Sequence, residues 1–417
     1  MSAITAPTPA IPGAGAPSPR LYFLDWLRIL AFGLLVVYHV GMYYVSWDWH
    51  VKSAHASRAI EPLMKLVSPW RMDLIFVVSG AATAFMLAGR GASGALLAER
   101  ARRLGVPLVF GMLVVVPPQS YLEVVQRLGY TGGFVDFMRA YLAGYSGFCR
   151  APGQCLLLPT WNHLWYLPYL FVYTALVWSV VRAWPRALER TAGAASRALA
   201  GAGLFAWPIA WLVLTHALLR ASFPPTHALV DDAFLHAQYL AMFAFGALLP
   251  RSDALAARFE ALRWPTTLAA LLAWAAMLWL APAPGAVATP PVDAGRVLAY
   301  GTLQWCAIVA ALGHARRHLH ADGRWRRWLT DAVFPVYVLH QTITILLAAA
   351  LAPAGLAPAL EAPLLVAGTF AGALGGYALL RRVRWLRPAI GLKRDAAPPR
   401  SPWRASARHE AVSRMIA

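Results

Sequence analysis

The sequence predicts an all-α polytopic membrane protein of about ten transmembrane helices, with N-terminus and C-terminus both cytoplasmic. Three observations carry this. Of the 417 residues, 59% are hydrophobic and only 13% are charged, a balance of chains that live in a bilayer. Apolar runs of spanning length recur from one end of the chain to the other. The basic residues, finally, sort into alternate loops, which sets an orientation.

The runs cover residues 21–45, 72–89, 104–122, 160–181, 203–219, 233–249, 265–281, 296–313, 330–351 and 363–380. Each is close to the roughly 20 residues that a helix needs to cross the hydrocarbon. Pro117-Pro118 blurs the end of the third, and Asp231-Asp232 the start of the sixth. The first run exceeds a signal-peptide core, carries Arg28 and His39, and lacks a small-residue cleavage site, so it reads as a retained helix. With the N-terminus inside, the inner loops and C-terminal tail hold 26 Lys and Arg, and the outer loops hold nine. The first outer loop, with Lys52, Arg58, Lys65 and Arg71, is the discordant one. The formal charge of +19 is therefore a topology signal, with membrane-lipid contact as a by-product, and implies no nucleic acid.

Residues 1–20, rich in Ala, Pro, Ser and Gly, read as a disordered cytoplasmic tail. Residues 21–385 form one membrane domain, and 386–417 a basic cytoplasmic tail. The long outer loops are 46–71 and 119–160, and the Pro-rich stretch 281–291 is an outer linker. There is no soluble-domain-sized insertion, and the large outer loops early in the chain suggest an acceptor or partner met on that side. Cys149 and Cys155 share the outer loop 119–160, where they form a disulfide or remain two free thiols. Cys306 lies in a span as a packing residue. Gly368, Gly372 and Gly376 recur every fourth position, the signature of a close-packed helix face.

The chemistry starts from Arg28 and His39. They are eleven residues apart, nearly three helical turns, so they share one face and are separated by roughly 16 Å along the axis. Polar groups at such depth are costly unless they line a polar cavity. Asp25, one turn before Arg28, is spaced to pair with it, which would make Arg28 an interfacial anchor. His39 has no such partner on its own helix. Other spans add polar groups at matching depth, and the outer half is expected to assemble His39, Arg71, Glu123, His163 and His340 around one cavity. Asp73, Ser79 and Trp165 join them as substrate-binding candidates, while Asp48 and His50 form an outer lip. On the inside, Arg100, Arg102 and Arg103 lie near the depth of Arg28. They could bind the phosphates of a cytoplasmic cofactor such as coenzyme A, or serve only as positive-inside residues. Gly89 to Gly94 matches G-x-G-x-x-G but follows a membrane helix, not a strand, and reads as a flexible loop. His314, His318 and His320 are interleaved with Arg316 and Arg317, so no metal site is predicted.

Taken together, these residues resemble the acyltransferase 3 family of integral membrane acyltransferases. The family's marker is an arginine or lysine, ten residues and a histidine, matched by Arg28 and His39. Ile75-Phe76-Val77-Val78-Ser79-Gly80 matches its S-G segment, the Arg-rich run from Arg100 to Pro107 another, and Tyr337-Val338-Leu339-His340 its Y-x-x-H segment. Leu24-Asp25-Trp26-Leu27-Arg28, Trp47-Asp48-Trp49-His50 and His163-Leu164-Trp165-Tyr166-Leu167 bring it nearest the branch that adds succinyl groups to periplasmic glucans. The resemblance covers about residues 20–385. It implies an inner-membrane O-acyltransferase that moves a succinyl- or acetyl-type group from cytoplasmic acyl-CoA to an extracytoplasmic carbohydrate hydroxyl. His39 would be general base or transient acyl carrier, and Arg28 would orient the donor through its thioester carbonyl or its phosphates. The rival class is a transporter or flippase that exports a lipid-linked sugar or anion along the same two residues.

Overall fold

The computed structural model describes residues 22–282 and 289–394. The N-terminal tail 1–20, the end of the basic tail from residue 395 and the centre of the linker 281–291 lie outside the described residues.

The described residues are helical, without a sheet. In chain order the helices are α1 (Tyr22–Tyr44), α2 (Glu61–Val67), α3 (Arg71–Arg90), α4 (Gly94–Phe110), α5 (Pro117–Leu128), α6 (Phe134–Leu142) and α7 (Tyr166–Ala183). There follow α8 (Ala187–Ala198), α9 (Gly203–Leu219), α10 (Ala233–Leu248), α11 (Asp253–Trp279), α12 (Pro290–His318), α13 (Arg324–Leu351) and α14 (Pro358–Leu380). Eight helical segments are long and apolar enough to cross a membrane. Two bent pairs, α4–α5 at 40° and α8–α9 at 104°, raise the number to ten. The end of the bundle where α1 begins is here called proximal, and the end where it finishes distal.

Most predicted spans coincide with helices, and the differences have physical reasons. The third span starts ten residues earlier than hydropathy indicates, at Gly94, where the Ser93 side chain caps the helix. It breaks at Pro117-Pro118, which supply no N–H to the preceding turn. The turn Gly111–Val115 widens to π geometry instead, with Val116 N donating to the Gly111 carbonyl at 2.8 Å. Helices α11, α12 and α13 run past their apolar cores at the proximal end because their charged turns find partners there. Arg316 bonds Glu260 at 3.3 Å, and Arg326 bonds Asp322 at 2.7 Å. The stretch read as an inner loop around Arg190 and Arg197 is helix α8. The two long distal loops likewise contain α2, α5 and α6.

Helix α1 sits at the centre, touching α3, α12, α13 and α14. Helices α3 and α10 meet backbone to backbone. A Cβ on Gly80 would lie 1.9 Å from the Phe243 carbonyl oxygen, and one on Gly246 the same distance from that of Val77. Gly368, Gly372 and Gly376 face Leu347, Ile343 and Leu339 of α13, so that stripe packs within the chain.

At the distal end, a clamp of charges ties three segments together. Cys149 and Cys155 form a disulfide. Inside the loop they close, Arg150 donates to Glu123 at 2.7 Å and to both Asp48 oxygens at 2.9 and 3.0 Å. Arg127 adds a bond to Asp48 and another to the His50 carbonyl. Burial opposes ionisation of the Asp48 carboxyl, but the Arg127 and Arg150 guanidiniums outweigh it and hold the group below the usual carboxylate range.

Gly246→Ala should destabilise the purified protein by about 1–3 kcal/mol, the usual cost of overpacking. Gly375→Ala, which meets nothing within 4 Å, should leave the detergent melting temperature unchanged. Arg150→Ala should cost about 1–3 kcal/mol, since it strips a partner from the buried Glu123 carboxylate. Arg139→Ala, which breaks an exposed pair with Asp136, should cost under about 1 kcal/mol by the same thermal melt.

Candidate active site

A cavity of about 580 Å³ opens at the distal end between α1, α3, α10, α12 and the start of α7. His39, Arg71, Asp73, His163 and Trp165 all line it, as does His50 from the outer lip. His340 and Glu123, expected beside them, stand behind the wall. Each acts on the cavity through a histidine that lines it.

His39 Nδ1 and His340 Nε2 are 2.7 Å apart, and the rings lie nearly parallel. His340 Nδ1 is 2.7 Å from the Tyr337 carbonyl oxygen, which accepts only. Nδ1 of His340 therefore carries the proton, its Nε2 accepts, and His39 donates from Nδ1. This leaves a lone pair on His39 Nε2. Helical spacing dictates the arrangement: Tyr337 and His340 are one turn apart, so the carbonyl and ring meet on one face of α13. Trp49 stacks over the other side of His39.

His163 is fixed by the same logic. Its Nε2 donates to the Val338 carbonyl at 3.0 Å, and its Nδ1 accepts from Gln119. Gln119 in turn bonds Thr342 at 2.5 Å, Gln341 at 3.0 Å and Asn162 at 3.2 Å, and so joins α5, α13 and the turn before α7. Glu123 binds His50 Nδ1 at 2.5 Å. The Arg71 guanidinium lies 3.4 Å above the Tyr38 ring, a cation–π contact that aims it along the wall.

The inner group is only partly as expected. Arg28, Arg100 and Arg103 lie within electrostatic reach of one another, and the Tyr166 hydroxyl is within reach of Arg28 and Arg100. Ser79, a substrate-binding candidate near mid-depth of its span, bonds that hydroxyl at 2.5 Å and does not line the distal cavity. Arg103 also donates to the Gly391 carbonyl at 3.2 Å. Arg102 falls on another face of α4 and is exposed, outside the group. Asp25 does not pair with Arg28. The buried Arg326 takes it, together with Asp322, because a guanidinium only 1% exposed needs its charge balanced more than Arg28 does.

Sequence reasoning passed over several lining residues: Gln238, Gln304, Tyr300 and Arg220. The two glutamines carry a legible signal, since each is the lone amide in an apolar helix. The others are indistinguishable in sequence from interfacial aromatic and basic residues. Among the described residues, no group of three or more His, Cys, Asp or Glu is arranged to hold a metal.

The chain is similar to known proteins. A model of the acyltransferase domain family matches residues 21–379. The glucans biosynthesis protein C of Salmonella heidelberg (strain SL476) is 25% identical over 347 residues, covering 82% of this chain and 86% of that one. Its counterpart in Salmonella typhi is similar to the same extent. No solved structure matches. The chain belongs to the acyltransferase 3 family and is a multi-pass membrane acyltransferase.

Proposed function

We propose that the protein takes an acyl group from acyl-CoA at the proximal end and delivers it to a carbohydrate hydroxyl in the distal cavity. The observation that carries this reading is the free Nε2 of His39 at the cavity wall. It shares a helix face with Arg28, roughly 16 Å away. Arg28, Arg100 and Arg103 suit the donor's phosphates, which guanidiniums bind through charge-assisted hydrogen bonds. An extended pantetheine arm would cover the distance from there to His39, passing Ser79 and Tyr166.

In this scheme His39 Nε2 accepts the proton of the acceptor hydroxyl as its oxygen bonds to the thioester carbonyl carbon. Arg71 faces the negative charge that develops on the carbonyl oxygen. The C–S bond then breaks, and His39 returns the proton to the departing thiolate of coenzyme A. His340 holds the His39 ring, and Glu123 holds His50. His163, Trp165 and Asp73 form walls for the acceptor. Similarity to relatives named for glucan biosynthesis makes a glucan the acceptor of choice, with a succinyl- or acetyl-type group as cargo.

The matching orientation puts the proximal end and both tails, flanking the domain 21–385, in the cytoplasm, and the chain in a bacterial inner membrane. The uneven basic residues support it. So does the distal disulfide, since such bonds persist in oxidising compartments. A flippase would use the same path without consuming an acyl donor.

Proteoliposomes with labelled acyl-CoA inside and glucan outside test the proposal. Label should appear on the glucan, and His39→Ala should lower kcat by about 10²–10⁴-fold. Movement of glucan without label, or wild-type turnover by His39→Ala, would overturn it. Arg28→Ala should raise the KM for acyl-CoA about tenfold or more and leave that for glucan unchanged, as expected for a lost charge-assisted bond to the donor.

A further inference from the structure

One wall of the distal cavity ends in an imbalance of hydrogen-bonding groups. Gln304 Nε2 spends both its hydrogens, on Asp73 Oδ2 at 2.8 Å and on Gln238 Oε1 at 2.7 Å. Gln238 Nε2 likewise spends both, on the Leu212 carbonyl at 3.2 Å and the Thr215 hydroxyl at 3.0 Å. The Thr215 hydroxyl gives its own hydrogen to a main-chain carbonyl of its helix, that of Trp211 at 2.8 Å. Since main-chain carbonyls only accept, the direction of the whole chain is fixed from that end. Every donor is used, and two acceptors are left over, Asp73 Oδ1 and Gln304 Oε1. Neither has a partner among the described residues, although both side chains are only 2% exposed and both line the cavity.

Unpaired buried acceptors are costly and rare, and they mark a place where something else supplies the hydrogen. We infer that Asp73 and Gln304 form a subsite that receives two hydroxyl donors of a sugar ring of the acceptor. This rests on the proposed reading that the acceptor is a carbohydrate. The chemistry of the corner selects against other ligands. Phosphates and carboxylates bring acceptors where donors are needed. A cation would meet Arg71 and Arg220, which line the same cavity. A sugar brings several hydroxyl donors and an apolar C–H face, and the corner offers aromatic rings for that face. Trp165 and Tyr239 lie stacked 5.7 Å apart along the wall, with Tyr300 beside Gln304 among the lining residues. Arg71 Nε, also without a partner, is a donor available for a ring or hydroxyl oxygen.

Asp73→Asn separates ligand binding from stability. The new amide can accept from Gln304 Nε2 and donate to Gln304 Oε1, which closes the imbalance inside the protein. The probe is a glucose oligosaccharide added to the purified full-length protein, read by quenching of the tryptophans that line the cavity. Asp73→Asn should weaken binding at least tenfold and raise the acceptor KM in parallel, with the acyl-CoA KM unchanged and the melting temperature not lowered. Gln304→Met, which removes the other acceptor at constant side-chain length, should weaken binding to a similar degree, and is read alone if the first variant folds poorly. Wild-type affinity in either variant overturns the subsite. Wild-type protein that binds the oligosaccharide but never acylates it overturns the proposed function and leaves the subsite standing. Acylation of glucan with an unaltered acceptor KM in Asp73→Asn does the reverse.

Discussion

Inside a bilayer the hydrocarbon offers no hydrogen bonds, so each polar side chain of the bundle must be answered by the protein itself. Much of the architecture follows from this constraint. Gln119 binds four side chains from two other segments. The Tyr337 hydroxyl donates to the His163 carbonyl, and the Thr344 and Thr369 hydroxyls meet at 3.1 Å. Arg326, only 1% exposed, holds Asp25 and Asp322 and so pins the start of α1 to α13. These bonds cross between helices, and they fix which face of each helix looks inward more sharply than apolar packing does.

The same constraint explains the shape of the cavity. A polar cleft among apolar helices persists only where rigid walls hold it open. The glycine-to-backbone contact of α3 and α10 supplies one such wall, and the hub at Gln119 supplies another. Between them the lining residues cannot relax toward one another to satisfy their own groups. Polar atoms that look into the cleft therefore keep capacity for a ligand, which a softer site would lose by collapse.

The sequence discloses a good deal of this, unevenly. Nearly every span was legible because length and hydropathy are local properties, and the π turn was foreshadowed by Pro117-Pro118. The shared face of Arg28 and His39 followed from helical periodicity alone. Pairings across the bundle were not legible. Asp25 has two arginines to choose from, Arg28 at three residues and Arg326 at 301 residues, and only depth of burial decides between them. Ser79 reads as a substrate-binding residue near mid-depth of α3, yet rotation about the helix turns it to Tyr166. Arg102 sits between Arg100 and Arg103, which lie within reach of Arg28, and is itself turned to another face of α4. Rotation and partner choice are properties of the assembled helices, and one strand of text does not contain them.

The bond from His340 to the Tyr337 carbonyl carries one more consequence. That carbonyl is part of the backbone of α13 and cannot rotate as a side chain does. The proton on His340 Nδ1 is thus anchored by secondary structure, and the His39 proton is aligned behind it. The two rings form a polarised chain with a single open end, facing the cavity. A proton can be gained or lost there without disturbing any other bond, whereas reversing the chain would require a turn of helix to let go. Handedness of proton movement is, in this sense, written into the main chain.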